Sequence, residues 1–221
     1  MTVAAAEVAD ALELVRARIS AVGDAGRVRV VAVTKGFGPD APAAAAAAGL
    51  SDLGENYAQE LLSKSVSAPE PTRWHFLGAP QRNKIAALAP VVHLWQAVDR
   101  LAVVERLAAA APGARLLVQV NFTGGAGRAG CAPAEAPALV DAARSGGLDV
   151  LGLMTVAPAG EPEVARRVFD DLAGLGRSLG VAELSMGMSD DYEAAVAAGS
   201  TMVRLGRALF GARPGGARRR G

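Results

Sequence analysis

Val28-Arg29-Val30-Val31-Ala32-Val33 is a short, largely β-branched and nearly uninterrupted apolar run, and Thr34-Lys35-Gly36 closes it. A run of this length without polar alternation is expected of a strand buried on both faces of a parallel sheet. The residues before it repeat differently. Val8, Leu12, Val15, Ile19 and Val22 recur at helical spacing among charges, which predicts an amphipathic helix ending near Gly23.

The same alternation continues along the chain. Further strands are predicted at Leu50–Gly54, Trp74–Gly78, His93–Gln96, Leu116–Asn121, Val150–Met154, Glu183–Met186 and Met202–Leu205. Helical patterns lie between them: Asp40–Ala48, Asn56–Ser65, Asp99–Ala110 with Asp99 placed to cap, and a stripe of Val164, Val168, Leu172, Leu175 and Leu179. Eight strands alternating with helices in 221 residues predict an α/β protein, a single (β/α)8 TIM-type barrel, rather than an open doubly wound sheet. The barrel is expected over 1–213. Residues 214–221, rich in Gly and Arg, read as a flexible basic tail.

Composition narrows the function. Lys and Arg number 23 against 22 Asp and Glu, so no net field steers nucleic acid or an anionic membrane to this chain. Cys131 is the only cysteine, which excludes an internal disulfide and a cysteine zinc cluster and suits a reducing compartment. The start carries Glu7 and Asp10 where a signal peptide is apolar, and no uncharged apolar run approaches the roughly 20 residues of a membrane span. A soluble cytoplasmic protein is expected. With two histidines and no carboxylate cluster beside them, no metal site is predicted.

In such a barrel, function collects at the carboxyl ends of the strands. Lys35 follows the first strand, and desolvation there favours a neutral, nucleophilic amine. It alone among the three lysines closes a strand; Lys64 and Lys84 fall in helix-like segments. Ser185-Met186-Gly187-Met188-Ser189 leads into a further helix, so Ser189 is either a cap of that helix or a phosphate contact. Gly206-Arg207 after the last strand is a second turn suited to phosphate. Arg204, between Val203 and Leu205, must find a partner inside the barrel: a structural carboxylate or a ligand atom. Met186 and Met188 read as packing, and His75 as a hydrogen-bonded core histidine.

Taken in order, several motifs resemble those of one family: Val31-Ala32-Val33-Thr34-Lys35, Gly54-Glu55-Asn56-Tyr57 with Gln59-Glu60, Trp74-His75-Phe76-Leu77-Gly78, Gln81-Arg82-Asn83-Lys84, Gly152-Leu153-Met154, Ser185 to Ser189, and Val203-Arg204-Leu205-Gly206. It is the pyridoxal-phosphate homeostasis protein family, single-domain relatives of the alanine racemase N-terminal barrel. The likeness runs from the first helix to about Gly211. It implies pyridoxal 5'-phosphate held as a Schiff base on Lys35, with its phosphate on Ser189 and the backbone of Gly206 and Arg207. It further implies that Ser185 and Met186 line the same end, that Arg204 faces the pyridine nitrogen, and that Asn56 and His75 line the pocket.

The implied role is vitamin B6 homeostasis as a cofactor carrier or regulator, with recipient apoenzymes as the partners such a role requires and a monomer or weak dimer as the working unit. The alternative is an amino-acid racemase. Racemases of that type add a C-terminal β domain and a tyrosine base, whereas this chain ends soon after its eighth strand and neither Tyr57 nor Tyr192 sits in an equivalent place. A fixed cation at the ring nitrogen also weakens the ring as an electron sink. Two departures from the family pattern stand out: Gly125 and Arg128 where a Glu and a Lys are usual, and Ala79-Pro80 in the loop after the third strand.

Overall fold

Arg29–Val33 forms β1, whose last four residues are all buried, as the apolar run requires. The computed structural model describes residues 3–124 and 128–213. Seven more strands follow: β2 Asp52–Glu55, β3 Arg73–Phe76, β4 Val92–Val98, β5 Arg115–Gln119, β6 Asp149–Met154, β7 Glu183–Ser185 and β8 Met202–Leu205. Each pairs in parallel with the next, and β1 pairs with β8, so the sheet closes into a barrel in sequence order. Every predicted strand is present, with ends shifted by a residue or two. Gly152 permits the closest approach in the wall: a Cβ there would lie 1.8 Å from the carbonyl oxygen of Glu183.

The helices pack outside. Those used below are α1 Ala5–Val22, α2 Asp40–Ala47, α3 Ala58–Ser65, α4 Ile85–Leu88, α5 Leu101–Ala110, α6 Ala136–Ser145, α7 Pro162–Ser178, α8 Tyr192–Ala197 and α9 Arg207–Phe210. The stripe predicted on α1 buries Val8, Leu12, Val15 and Ile19. Asp99 does not cap α5. Its carboxylate instead accepts from Arg100 at 2.7 Å and from the Gly130 amide at 3.3 Å, bracing the β4 and β5 loops together. The third helix begins at Ala58 rather than Asn56, because Asn56 and Tyr57 belong to the turn out of β2.

Strand alternation sorts the core into two shells. One lies between barrel and helices and includes Leu53, Phe76, Trp95, Val118 and Phe169. The other is a plug of Val31, Leu94, Leu117, Met154 and Met202 inside the barrel. Cys131 is buried beside Val120, and burial pushes its thiol up to about 11, so it is inert at neutral pH. No helix among the described residues is long and apolar enough to cross a membrane. Gly125 and the tail, residues 214–221, lie outside the described residues, while Arg128 is exposed.

Leu117→Ala removes a fully buried member of the interior plug and is expected to cost about 2–5 kcal/mol of unfolding free energy in urea titration. A loss under about 0.5 kcal/mol would show that the plug is not packed.

Candidate functional site

At the carboxyl ends of the strands lies a cavity of about 330 Å³. Lys35, Arg204, Arg207 and Arg213 border it against a single acid, Asp190, which is itself paired with Arg207. A small anionic ligand fits this balance. Two depressions roughly twice that size, about 630 Å³ beside α8 and about 760 Å³ at the amino ends of the strands, lie elsewhere. Both are open surface clefts whose charges are largely spent on neighbours, such as Arg18 on Glu193 and Arg29 on Glu183.

Lys35 stands two residues beyond β1 and is half-buried. Burial, then the nearby Arg213 and Arg204, hold its amine below the ordinary lysine value, against the opposing pull of Glu55 and Glu60. The segment that carries it is clamped from below. The Lys64 ammonium on α3 donates to the Thr34 carbonyl at 2.8 Å, to Glu55 at 2.5 Å and to Glu60 at 3.0 Å. Thr34 Oγ1 donates to Glu55 at 2.7 Å, and the Gly36 amide donates to Glu60 at 2.9 Å. Residues on both sides of Lys35 are thereby fixed, while no hydrogen bond holds Lys35 itself among the described residues.

Arg204 is buried in β8 with no carboxylate in ion-pair range among the described residues. Its Nη1 donates to Ser185 Oγ and its Nη2 to the Thr155 carbonyl, each at 2.7 Å. Burial pushes the guanidinium down to about 10, with Asp191 opposing, so it remains a cation at neutral pH. Of the two partners the sequence left open, the structural carboxylate is not found among the described residues.

Ser189 does not cap the helix after it. Its hydroxyl accepts the Ala208 amide at 3.1 Å, tying the β7 loop to α9, and it borders the cavity. Gly187, at φ +94°, makes the turn before it, and a Cβ there would lie 2.7 Å from Ala195. Asn56 also borders the cavity, with a buried Oδ1 that has no hydrogen-bond partner among the described residues.

Of the nine side chains and turns expected at the site, Lys35, Asn56, Ser189, Arg204, Gly206 and Arg207 line the cavity. His75, Ser185 and Met186 do not. His75 and Ser185 point into the barrel below Arg204, and Met186 packs in the outer apolar shell, as strand alternation dictates for the neighbour of Ser185. Sequence reading missed two residues. Arg213 adds a cation beyond the last helix, and Lys64 is no surface lysine but a buried clamp, which Glu60 one turn earlier on the same helix could have signalled.

Residues 6–214 match the family model for the alanine racemase N-terminal domain. The pyridoxal phosphate homeostasis protein of Pseudomonas aeruginosa is 40% identical over 227 residues, covering 98% of this chain and 99% of that protein. The chain belongs to the pyridoxal phosphate homeostasis protein family. Its relative from Deinococcus radiodurans is 43% identical over 193 residues, with 84% of this chain and 90% of that protein covered. PipY of Synechococcus elongatus, solved with PLP bound, superposes with a TM-score of 0.82 at 31% identity, over 92% of this chain and 100% of that one.

Lys64→Met leaves Glu55 buried without its cation and is expected to cost about 3–5 kcal/mol by denaturant titration. Adding Glu55→Gln should recover part of that loss. If the double variant is no more stable than Lys64→Met alone, the two are not coupled as described.

Proposed function

We propose that this chain holds pyridoxal 5'-phosphate in the cavity beside Lys35 and serves vitamin B6 homeostasis as a carrier or regulator, without turnover of its own. One observation carries the reading: a depressed, unengaged lysine amine and an unpartnered buried Asn56 oxygen border the same small, arginine-rich cavity. The residues fit the group. Lys35 would attach the aldehyde, Arg204 would donate to an unprotonated ring nitrogen, and Ser189 with the backbone of Gly206 and Arg207 would take the phosphate, with Arg213 adding charge. Asn56 Oδ1 accepts only, so it suits a hydroxyl on the ring.

When bound, the cofactor supplies an electrophilic carbon to amines and a ring able to spread negative charge. The protein's own residues restrict that chemistry. Lys35 can hold or move one proton, and the one other carboxylate or histidine-type acid/base bordering the cavity among the described residues, Asp190, is engaged by Arg207. Tyr57 is 62% exposed and Tyr192 is buried in α8; neither borders the cavity. A persistently cationic Arg204 disfavours protonation of a ring nitrogen facing it, which blunts carbanion chemistry. These features support retention and delivery of the cofactor to recipient apoenzymes over racemisation.

Ser189→Ala is expected to weaken PLP binding at least tenfold in a visible-absorption titration, since a hydrogen bond to a charged oxygen is worth about 1.5–3 kcal/mol. The apo form should melt close to the wild type. Unchanged affinity with a destabilised apo form would reduce Ser189 to a tie between two loops. Incubation of the loaded protein with L-alanine in deuterated water should give no racemisation by chiral chromatography. Turnover of roughly one per second or faster would make the protein an enzyme.

A further inference from the structure

A chain of hydrogen bonds runs through the barrel interior beside the apolar plug, from the amino ends of the strands to Arg204. At the amino ends of the strands, Arg73 donates to Asp52 through Nε at 2.9 Å and Nη2 at 2.6 Å. Asp52 Oδ1 lies 2.9 Å from His75 Nε2, and His75 Nδ1 lies 2.7 Å from Gln96 Nε2. Gln96 Oε1 accepts from Ser185 Oγ at 2.6 Å, and Ser185 Oγ accepts from Arg204 Nη1 at 2.7 Å. His75, Gln96 and Ser185 are fully buried, so no member of the middle can turn to bulk water instead.

The chemistry of each group leaves it one role. Asp52 is ionised: burial opposes this, but hydrogen bonds from His75 and Arg73 hold its carboxyl well below the usual range. A carboxylate only accepts, so the imidazole hydrogen belongs on Nε2, and Nδ1 of the neutral ring is an acceptor. Burial, which lowers the value of His75, keeps the ring neutral despite Asp52. Only the amide nitrogen of Gln96 can meet an acceptor, and its other N–H reaches the Met202 sulfur at 3.0 Å, a second acceptor that demands the same orientation. The amide oxygen therefore faces Ser185 and takes its hydroxyl hydrogen. What Ser185 has left for Arg204 is a lone pair.

We propose that Asp52, His75, Gln96 and Ser185 are positioning residues for Arg204, a chain held in one direction between an end that only accepts, the Asp52 carboxylate, and an end that only donates, the guanidinium. The arrangement explains how an arginine without an adjacent carboxylate is held in one pose while its charge stays available at the cavity. A direct ion pair would orient it equally well but would neutralise it. The hydrogen-bond roles stand on the barrel interior alone. The consequence for a ligand rests on the reading of the cavity as a PLP site.

The test has two independent arms. Imidazole nitrogen NMR of the ligand-free protein, with His93→Asn to assign the second histidine, should show His75 as a single neutral tautomer with hydrogen on Nε2. An imidazolium, or hydrogen on Nδ1, overturns the proposal. Asp52→Leu keeps the approximate volume but removes the acceptor, so the Nε2–H of His75 should lose its hydrogen bond and its proton resonance should move upfield. In the same variant PLP affinity should fall roughly tenfold by absorption titration. Gln96→Leu should weaken binding by a similar factor, whereas Gln96→Glu, which still accepts from Ser185, should retain affinity within about threefold and convert His75 to the imidazolium. An unchanged Nε2–H resonance and wild-type affinity in Asp52→Leu overturn the proposal. If the wild type itself fails to bind PLP, the proposed function falls, and the tautomer measurement still decides the chain.

Discussion

Pairing of β1 with β8 in one register is the constraint on which the rest depends. It sets Val31 opposite Arg204 and Ala32 opposite Leu205, joining the first strand of the chain to its last. Closure leaves no open sheet edge and encloses an interior that only side chains of alternate strand positions can fill. It also brings the turn after β1, with Lys35, beside the turn after β8, with Gly206 and Arg207. Residues about 170 positions apart meet only because the sheet is a ring.

The interior is not uniformly apolar, and the polar part has a cost. Arg204, Gln96, His75 and Ser185 occupy positions that Leu or Val would fill in a purely structural barrel. Each buried polar group must be partnered or it loses the full desolvation penalty, of order 1–3 kcal/mol. The chain from Asp52 to Arg204 partners all of them, while the plug of Val31, Leu94, Leu117, Met154 and Met202 supplies the packing around it. A second buried polar cluster, Lys64 with Glu55 and Thr34, lies outside the ring and steadies the segment that carries Lys35. One cluster orients the cation of the site and the other its amine.

The barrel was legible because its signals are local. Strand after strand is a short apolar run bounded by Gly, Pro or charge, and periodicity reports burial directly. The rim was legible in part for the same reason, since a residue just past a strand end, such as Lys35 or Asn56, faces the mouth whatever the packing. His75 and Met186 were expected there and are elsewhere. His75 lies in mid-strand, where its side chain points into the barrel below the mouth, and Met186 is one position out of phase with Ser185, so it faces the helices. Asp99 has the type and place of a cap, yet the Gly130 amide, 31 residues on, engages it instead. Gln96 owes its role to partners 21 to 106 residues away, through contacts that no local pattern encodes, and Lys64, beyond the local cue of Glu60, owes its own to Glu55 and Thr34, 9 and 30 residues away.

Borohydride reduction of the protein loaded with PLP, followed by peptide mapping, addresses the central claim, that the amine at the end of β1 is the one that holds the cofactor. The chain has three lysines, and their surroundings differ sharply: Lys64 is locked in a buried ion pair, Lys84 sits at the start of α4, and Lys35 borders the cavity. The pyridoxyl group should be recovered on the peptide containing Lys35. Recovery on Lys64 or Lys84, with Lys35 unmodified, would contradict the account.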